Sequence, residues 1–318
     1  MFLLQAVNYQ ATNGVIMKAI DVVIKEVAAR DGLQAQPKHL TLAQRRELIA
    51  QLAATGVPEL EIGSFVSPKA VPQMAGTDQL ARDLPSRAID YSALVPNLRG
   101  YELAISAGIK TLAIAIAATE QMNQNNIRMG LDQTFAMAED MLSRAQTDGV
   151  AIHAYLAVAF ECPYEGKVKP DQVVSQVQQL MGFEPARLVI ADTIGAANPS
   201  EVEALMTRLV SEFGTERLGC HFHDTRAMAM ANVYASLSAG IRQFDSSAGG
   251  LGGCPFAPGA KGNVATEDVV LLCESMGYHT GIDIPALLGC VATLSDMIGT
   301  PQGGRGHYWL ANNAELFS

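Results

Sequence analysis

Charge is scarce in this chain. Of 318 residues, 17% are charged and 49% hydrophobic, a balance that excludes a disordered polymer and predicts a large buried core. Positive charge is scarcer still. With 22 Lys and Arg against 32 Asp and Glu, the net charge is −10, so a basic field suited to nucleic acid is absent. An anionic ligand would need a local basic or amide-rich patch. No apolar run approaches the roughly 18 residues of a membrane span, and the longest, TLAIAIAA and VAIHAYLAVAF, have the length of strands. The first sixteen residues contain no Lys or Arg and lack a signal-peptide layout; residues 1–17 are expected to form a loose extension. The cysteines (Cys162, Cys220, Cys254, Cys273 and Cys290) are odd in number and form no CxxC. This argues against a disulfide framework and fits a reducing cytoplasm, where each thiol is free to be core or catalytic. No Gly-rich dinucleotide fingerprint follows the first predicted strand, which weighs against a doubly wound open sheet.

Short β-rich apolar runs alternate with longer helical patterns. The pattern predicts strands at 21–27, 58–64, 90–95, 111–118, 150–159, 186–191, 217–223 and 241–247. Helical patterns such as TLAQRRELIAQLAATG and LDQTFAMAEDMLSRAQTDG each close on a Gly. Eight strand–helix units favour a closed (β/α)₈ TIM barrel, spanning 18–300, with a C-terminal helical addition. The tail, 301–318, is Gly-rich and then mixed, and is expected to be partly ordered at best.

In such barrels the active site lies at the C-terminal ends of the strands. Arg30 and Asp31 fall at the end of strand 1, Glu61 late in strand 2, His153 and Tyr155 in strand 5, Asp192 at the end of strand 6 and HFHDT at the end of strand 7. Polar side chains gathered at one rim are costly unless they bind something. His221 and His223 share a strand face by the period of two, so both imidazoles can reach one ion, with Asp31 and an amide oxygen completing a mixed N/O set. Two hydrogen-bonded rim histidines are the plainer alternative. The segment SAGGLGGCPFAPGAKGNVATED reads as a Gly-rich loop carrying Cys254, a thiol that a lid can deliver to a substrate, although a free cysteine is more often a small core residue. Asn263, nine residues on, is a candidate amide ligand.

Together these residues resemble the hydroxymethylglutaryl-CoA lyase family. The resemblance runs from about Ile20 to Ile298 and is carried by EVAARDGLQ, EIGSFVSPKAVPQM, VPNLRGYELAISAG, CPYEGKV, DTIGAANP, HFHDT and GGLGGCPFAPGAKGNVATEDVV, in that order. It implies a metal-dependent carbon–carbon lyase that cleaves a 3-hydroxy acyl-CoA to acetyl-CoA and a keto acid, with leucine degradation as the setting. Asp31, His221, His223 and Asn263 are then similar to the ligands of a divalent ion, Mg²⁺ or Mn²⁺, with Zn²⁺ or Co²⁺ also tolerated. Arg30 resembles the residue facing the thioester carbonyl, and Cys254 the family's catalytic thiol. Glu61, Tyr155 and Asp192 are expected among the catalytic groups, and Gln34, Asn126 and Arg226 among those that bind substrate. A homo-oligomer is also implied.

The chain departs from the family pattern near the rim. Val27-Ala28-Ala29 precedes Arg30 where Gly-Pro is usual, His153-Ala154 replaces Arg-Gly before Tyr155, Glu161 stands for a Gly, and Arg226-Ala227-Met228 for Tyr-Gly-Gln. These changes are either drift in loop packing or a changed acyl group read by Arg226. The substrates open on this reading are hydroxymethylglutaryl-CoA, citramalyl-CoA and longer 3-hydroxy-3-alkylglutaryl-CoA. A Claisen-type synthase on the same barrel, a metal hydrolase and a non-catalytic barrel are further alternatives.

Overall fold

The computed structural model describes residues 11–12, 15–16, 19–253 and 262–317. The greater part of the expected extension 1–17, and Cys254 itself, lie outside the described residues.

Strands β1 (Val23–Glu26), β2 (Glu59–Ser64), β3 (Asp90–Leu94), β4 (Thr111–Ala117), β5 (Ala151–Ala157), β6 (Arg187–Asp192), β7 (Leu218–Phe222) and β8 (Gln243–Ser246) pair in parallel in chain order, and β8 pairs back onto β1 to close the barrel. Each expected strand is present at its expected place; seven are shorter by one to three residues, and the sixth is shifted by one, ending at Asp192. Parallel strands covered on both faces need no polar alternation, which is why TLAIAIA in β4 reads as a continuous apolar run. Its residues nonetheless divide by size. Ile114 and Ile116 join the layer packed under the helices, whereas Ala113 and Ala115 face Tyr155, Val189 and Leu94 in the lumen. Small lumen residues leave room inside.

The outer layer is formed by α1 (Leu42–Ala54), α2 (Thr77–Arg82), α3 (Leu98–Ser106), α4 (Glu120–Ile127), α5 (Leu131–Asp148), α6 (Pro170–Gly182), α7 (Pro199–Phe213), α8 (Ala229–Ser238), α9 (Thr266–Ser275) and α10 (Ile284–Ile298). α1 begins with a capping box between Thr41 and Gln44, and α5 ends at Gly149 in the left-handed conformation, where its sequence pattern closes on a Gly. Cys162, Cys220, Cys273 and Cys290 are buried free thiols.

Two local departures shape the rim. β1 stops at Glu26, and the chain winds through a wide turn, Ala28–Gly32, closed by the Gly32 amide donating to the Val27 carbonyl. Arg30 and Asp31 therefore sit on a π-turn beyond the strand rather than at its end, a geometry common at functional sites. β5 stops at Ala157 because Val158 adopts φ 50°, with its amide donating to Thr193 Oγ1.

The tail is more ordered than its composition suggests. It carries α11 (His307–Asn312), and Leu310 is fully buried. Its glycines serve as close-approach donors. Gly303 N donates to Gly249 O, Gly304 N to Glu267 Oε1, and Gly306 N to Asp268 Oδ1. Buried carboxylates, invisible to a composition argument, hold the tail down.

Glu26 anchors the same region from β1. It is fully buried; Oε1 accepts from the Ala28 and Ala248 amides and Oε2 from the Thr266 hydroxyl. Burial pushes its carboxyl up to about 7, helped by the charge of Glu267 and opposed by those hydrogen bonds. A carboxyl whose folded pKa lies above its unfolded value, 4.5, contributes stability that is present below pH 4.5 and lost as pH rises to about 7. Glu26→Gln is expected to remove this slope, gaining roughly 3 kcal/mol relative to the native chain between pH 4.5 and 8. Urea unfolding at both pH values tests it; the same difference at each would contradict the assignment.

Candidate active site

The π-turn after β1 and the end of β7 meet at the mouth of the barrel. Asp31, His221 and His223 each present a ligand atom, and these atoms lie within 4.8 Å of one another. Asp31 Oδ2 is 3.7 Å from His223 Nε2 and 4.0 Å from His221 Nε2. The two imidazoles, one strand repeat apart, have ring centroids at 5.1 Å. Asn263 returns to this point through a β-bridge with His223. Its Nδ2 donates to Asp31 Oδ2 at 2.9 Å and to the Leu251 carbonyl, while Oδ1 is buried without a hydrogen-bond partner among the described residues. An acceptor buried in this way is costly unless a cation or donor meets it. The carboxylate, two imidazoles and amide oxygen fit a divalent ion with hard-to-borderline preference.

The electrostatics favour the ionised set. Burial alone would raise the Asp31 pKa, but Arg30, His223 and His221 outweigh it and hold the carboxyl well below the usual carboxylate range. Asp31 is therefore available as an anionic ligand at neutral pH. Arg30, 7% exposed, donates through Nε to Glu61 Oε2 and through Nη1 to Asp31 Oδ1 at 2.5 Å. Two carboxylates thus fix the guanidinium plane beside the ligand cluster. Burial opposes its charge, but Glu61 and Asp31 raise the pKa overall, so the cation persists.

A cavity of about 1340 Å³ opens over this cluster, lined by Arg30, Asp31, His221, His223, Tyr155, Gln34 and Asn126 among others. The expected site residues thus separate into groups. Arg30, Tyr155, Gln34 and Asn126 face the cavity with the ligand cluster. Glu61 is wholly buried behind Arg30 and orients it. Cys254 follows Gly253, which lines the cavity.

Two expectations need correction. Asp192 does not line the cavity: Oδ1 accepts from Ala196 N at 2.8 Å and Oδ2 from Ala197 N at 3.0 Å, so both oxygens are spent on the turn after β6. In this structure its carboxylate shapes the rim turn. Arg226 does not reach the cavity either. Its Nη2 donates to Glu161 Oε1 at 2.9 Å, and Lys167 bridges Glu161 and Glu201. The two departures Glu161 and Arg226 therefore form one ion pair on the outer rim.

Asp245 was missing from the sequence reading. It lies on β8 in register with His221, and its Oδ2 meets His221 Nδ1 at 3.1 Å. A proton held on Nδ1 leaves the Nε2 lone pair facing the cluster. The available signal was weak: an Asp at the inward position of a short strand, FDSS, with no neighbour in sequence to mark it. Asp245→Asn keeps the hydrogen bond but removes its charge. It is expected to weaken Mn²⁺ binding by roughly 10–100-fold, and an unchanged Kd in a titration would show that His221 needs no such support.

Comparison with known proteins agrees with this geometry. The HMGL-like family model matches residues 21–293. Hydroxymethylglutaryl-CoA lyase of Pseudomonas mevalonii is 41% identical over 296 residues, covering 93% of this chain and 98% of the relative. The 3-hydroxy-3-isohexenylglutaryl-CoA/hydroxymethylglutaryl-CoA lyase of Pseudomonas aeruginosa is 40% identical, covering 89% and 95%. A crystal structure of hydroxymethylglutaryl-CoA lyase from Pseudomonas aeruginosa superposes with a TM-score of 0.89 at 39% identity, covering 92% of this chain and 98% of that one. Barrel, ligand cluster and sequence agree, and the chain belongs to the HMGL-like family.

Proposed function

We propose that this protein is a carbon–carbon lyase that cleaves hydroxymethylglutaryl-CoA to acetyl-CoA and acetoacetate. The observation that carries the reading is the guanidinium of Arg30, clamped between Glu61 and Asp31 beside a cluster of ligand atoms in a cavity of about 1340 Å³.

Breaking the C2–C3 bond of a 3-hydroxy thioester requires three events. The 3-hydroxyl gives its proton to a base beside it as C3 becomes a carbonyl. The bonding pair moves to C2, where the fragment exists as a thioester enolate. C2 then gains a proton to give the acetyl thioester. Asp31, His221, His223 and Asn263 Oδ1 would hold a divalent ion, Mg²⁺ or Mn²⁺, which when bound supplies Lewis-acid polarisation of the substrate's oxygens. Arg30 provides a permanent charge where the enolate oxygen develops, and its clamping by two carboxylates means it need not reorganise. Tyr155 stays a neutral phenol, because burial and the nearby Asp245 and Glu61 charges push its pKa well above the ordinary value. Gln34 and Asn126 line the wall and can meet polar atoms of the acyl chain. Cys254 is assigned the proton to C2, supported by the family resemblance and by Gly253 at the cavity edge. The resemblance extends the reading to leucine degradation in the cytoplasm and to a homo-oligomer.

A larger substituent on C3 is the second reading, favoured by the cavity wall. Leu94, Ala115, Met122, Ile127, Ala157 and Ala191 form an apolar flank with small side chains on the inner strands. The test is a panel of hydroxymethylglutaryl-CoA, 3-alkyl homologues and citramalyl-CoA, with and without Mg²⁺ or Mn²⁺, assayed for acetyl-CoA and the partner keto acid. Highest kcat/KM for hydroxymethylglutaryl-CoA supports the first reading, and preference for a longer branch the second. No acetyl-CoA from any thioester overturns both.

A further inference from the structure

Beneath the ligand cluster the barrel interior holds a cation that the chemistry above does not use. Lys25 on β1 is 1% exposed, and its side chain points into the lumen. Nζ lies 3.1 Å from Tyr155 Oη, to which it donates, and 3.8 Å from Glu61 Oε1, an oxygen with no hydrogen-bond partner among the described residues. In register, Lys25 stands beside Asp245 on β8 and Glu59 on β2. Glu59 in turn pairs with Arg187 at 2.6 Å, and Arg187 stands beside His153 on β5.

We propose that Lys25 is a positioning residue for the reaction: it holds the Tyr155 hydroxyl and the Glu61 carboxylate, and through Glu61 the guanidinium of Arg30, at the orientation the enolate requires. The inference rests on the lyase reading. A buried ammonium is expensive and persists where neighbouring groups compensate it. Here its neighbours are the phenol facing the cavity and the carboxylate that fixes Arg30, together with Asp245, the partner of His221. Lys25 thus meets the guanidinium branch of the site through Glu61 and stands in register with Asp245 of the imidazole branch.

The same geometry accounts for His153. Its Nδ1 has no hydrogen-bond partner among the described residues, and burial, Lys25 and Arg187 keep the imidazole neutral. An arginine at 153 would add a third cation beside Lys25 and Arg187.

The experiment compares Lys25→Met, His153→Arg and the double variant Lys25→Met/His153→Arg with the native enzyme. Lys25→Met is expected to lower kcat by roughly 10–100-fold, the range found for groups that orient a site from outside it, with KM changed less than about threefold. His153→Arg alone is expected to lose activity, and the double variant to recover to within about threefold of native kcat. Losses that multiply in the double variant, native kcat in Lys25→Met, or a double variant that fails to fold would each overturn the proposal. If Lys25→Met itself unfolds, recovery in the folded double variant supports it. Turnover by the native enzyme decides the lyase reading separately, so the two failures are distinguishable.

Discussion

His221→Ala is expected to lower kcat for hydroxymethylglutaryl-CoA by at least about a thousandfold, while the barrel remains folded. The size follows from what is lost: Lewis-acid stabilisation of several kcal/mol, at 1.4 kcal/mol per factor of ten. The site depends on three side chains that converge from β1 and β7, with Asn263 arriving from the segment after Gly262. Alanine at 221 removes one ligand and leaves Asp245, in register with Lys25, without its imidazole partner. The barrel itself is packed mainly by the apolar layer between strands and helices, which does not involve His221. The thermal midpoint should therefore move by only a few degrees while turnover collapses. Steady-state kinetics and a melting curve on the same preparation check both parts; a kcat within tenfold of native would remove His221 from the ligand set.

Arg30→Met carries the second large effect, and it should act on rate and stability together. Loss of a preorganised charge at a developing oxyanion costs about 10²–10³ in kcat. The substitution also strands Glu61, which is fully buried and, among the described residues, would retain only Lys25 at 3.8 Å as a cationic partner. Breaking a buried pair from one side costs about 3–5 kcal/mol. Arg30→Lys should do no better in rate, because an ammonium cannot reproduce donation from Nε to Glu61 and from Nη1 to Asp31 at once. Denaturant unfolding together with kcat separates the two costs. Native stability in Arg30→Met would show that the Glu61 pair does not hold the turn.

The barrel was legible in the sequence because each of its signals is local. A parallel strand covered on both faces announces itself as an apolar run, and a closing glycine such as Gly149 marks a helix end whatever lies around it. The ligand cluster was legible for a related reason: Arg30-Asp31 and His221-x-His223 are each compact in sequence, and the fold brings strand ends together by rule. Contacts between residues distant in sequence were not legible. Asp192 looked catalytic as an Asp at a strand end, but only the structure shows Ala196 and Ala197 amides occupying both oxygens. Arg226 looked available until Glu161, 65 residues away, proved to be its partner. Asp245 and Lys25 matter through register with β7 and β1, which no single strand reveals. The tail was misjudged because its glycines suggested freedom, whereas Glu267 and Asp268 accept their amides.

The central claim is a divalent cation held by Asp31, His221, His223 and Asn263 and required for carbon–carbon cleavage. It is tested most directly by stripping the enzyme with a chelator and titrating Mn²⁺ back, following bound metal and acetyl-CoA release in the same samples. The account predicts no turnover in the stripped enzyme, and recovery that tracks the filling of one site per chain. Full turnover without added metal, or Mn²⁺ binding of native strength in His221→Ala, would contradict it.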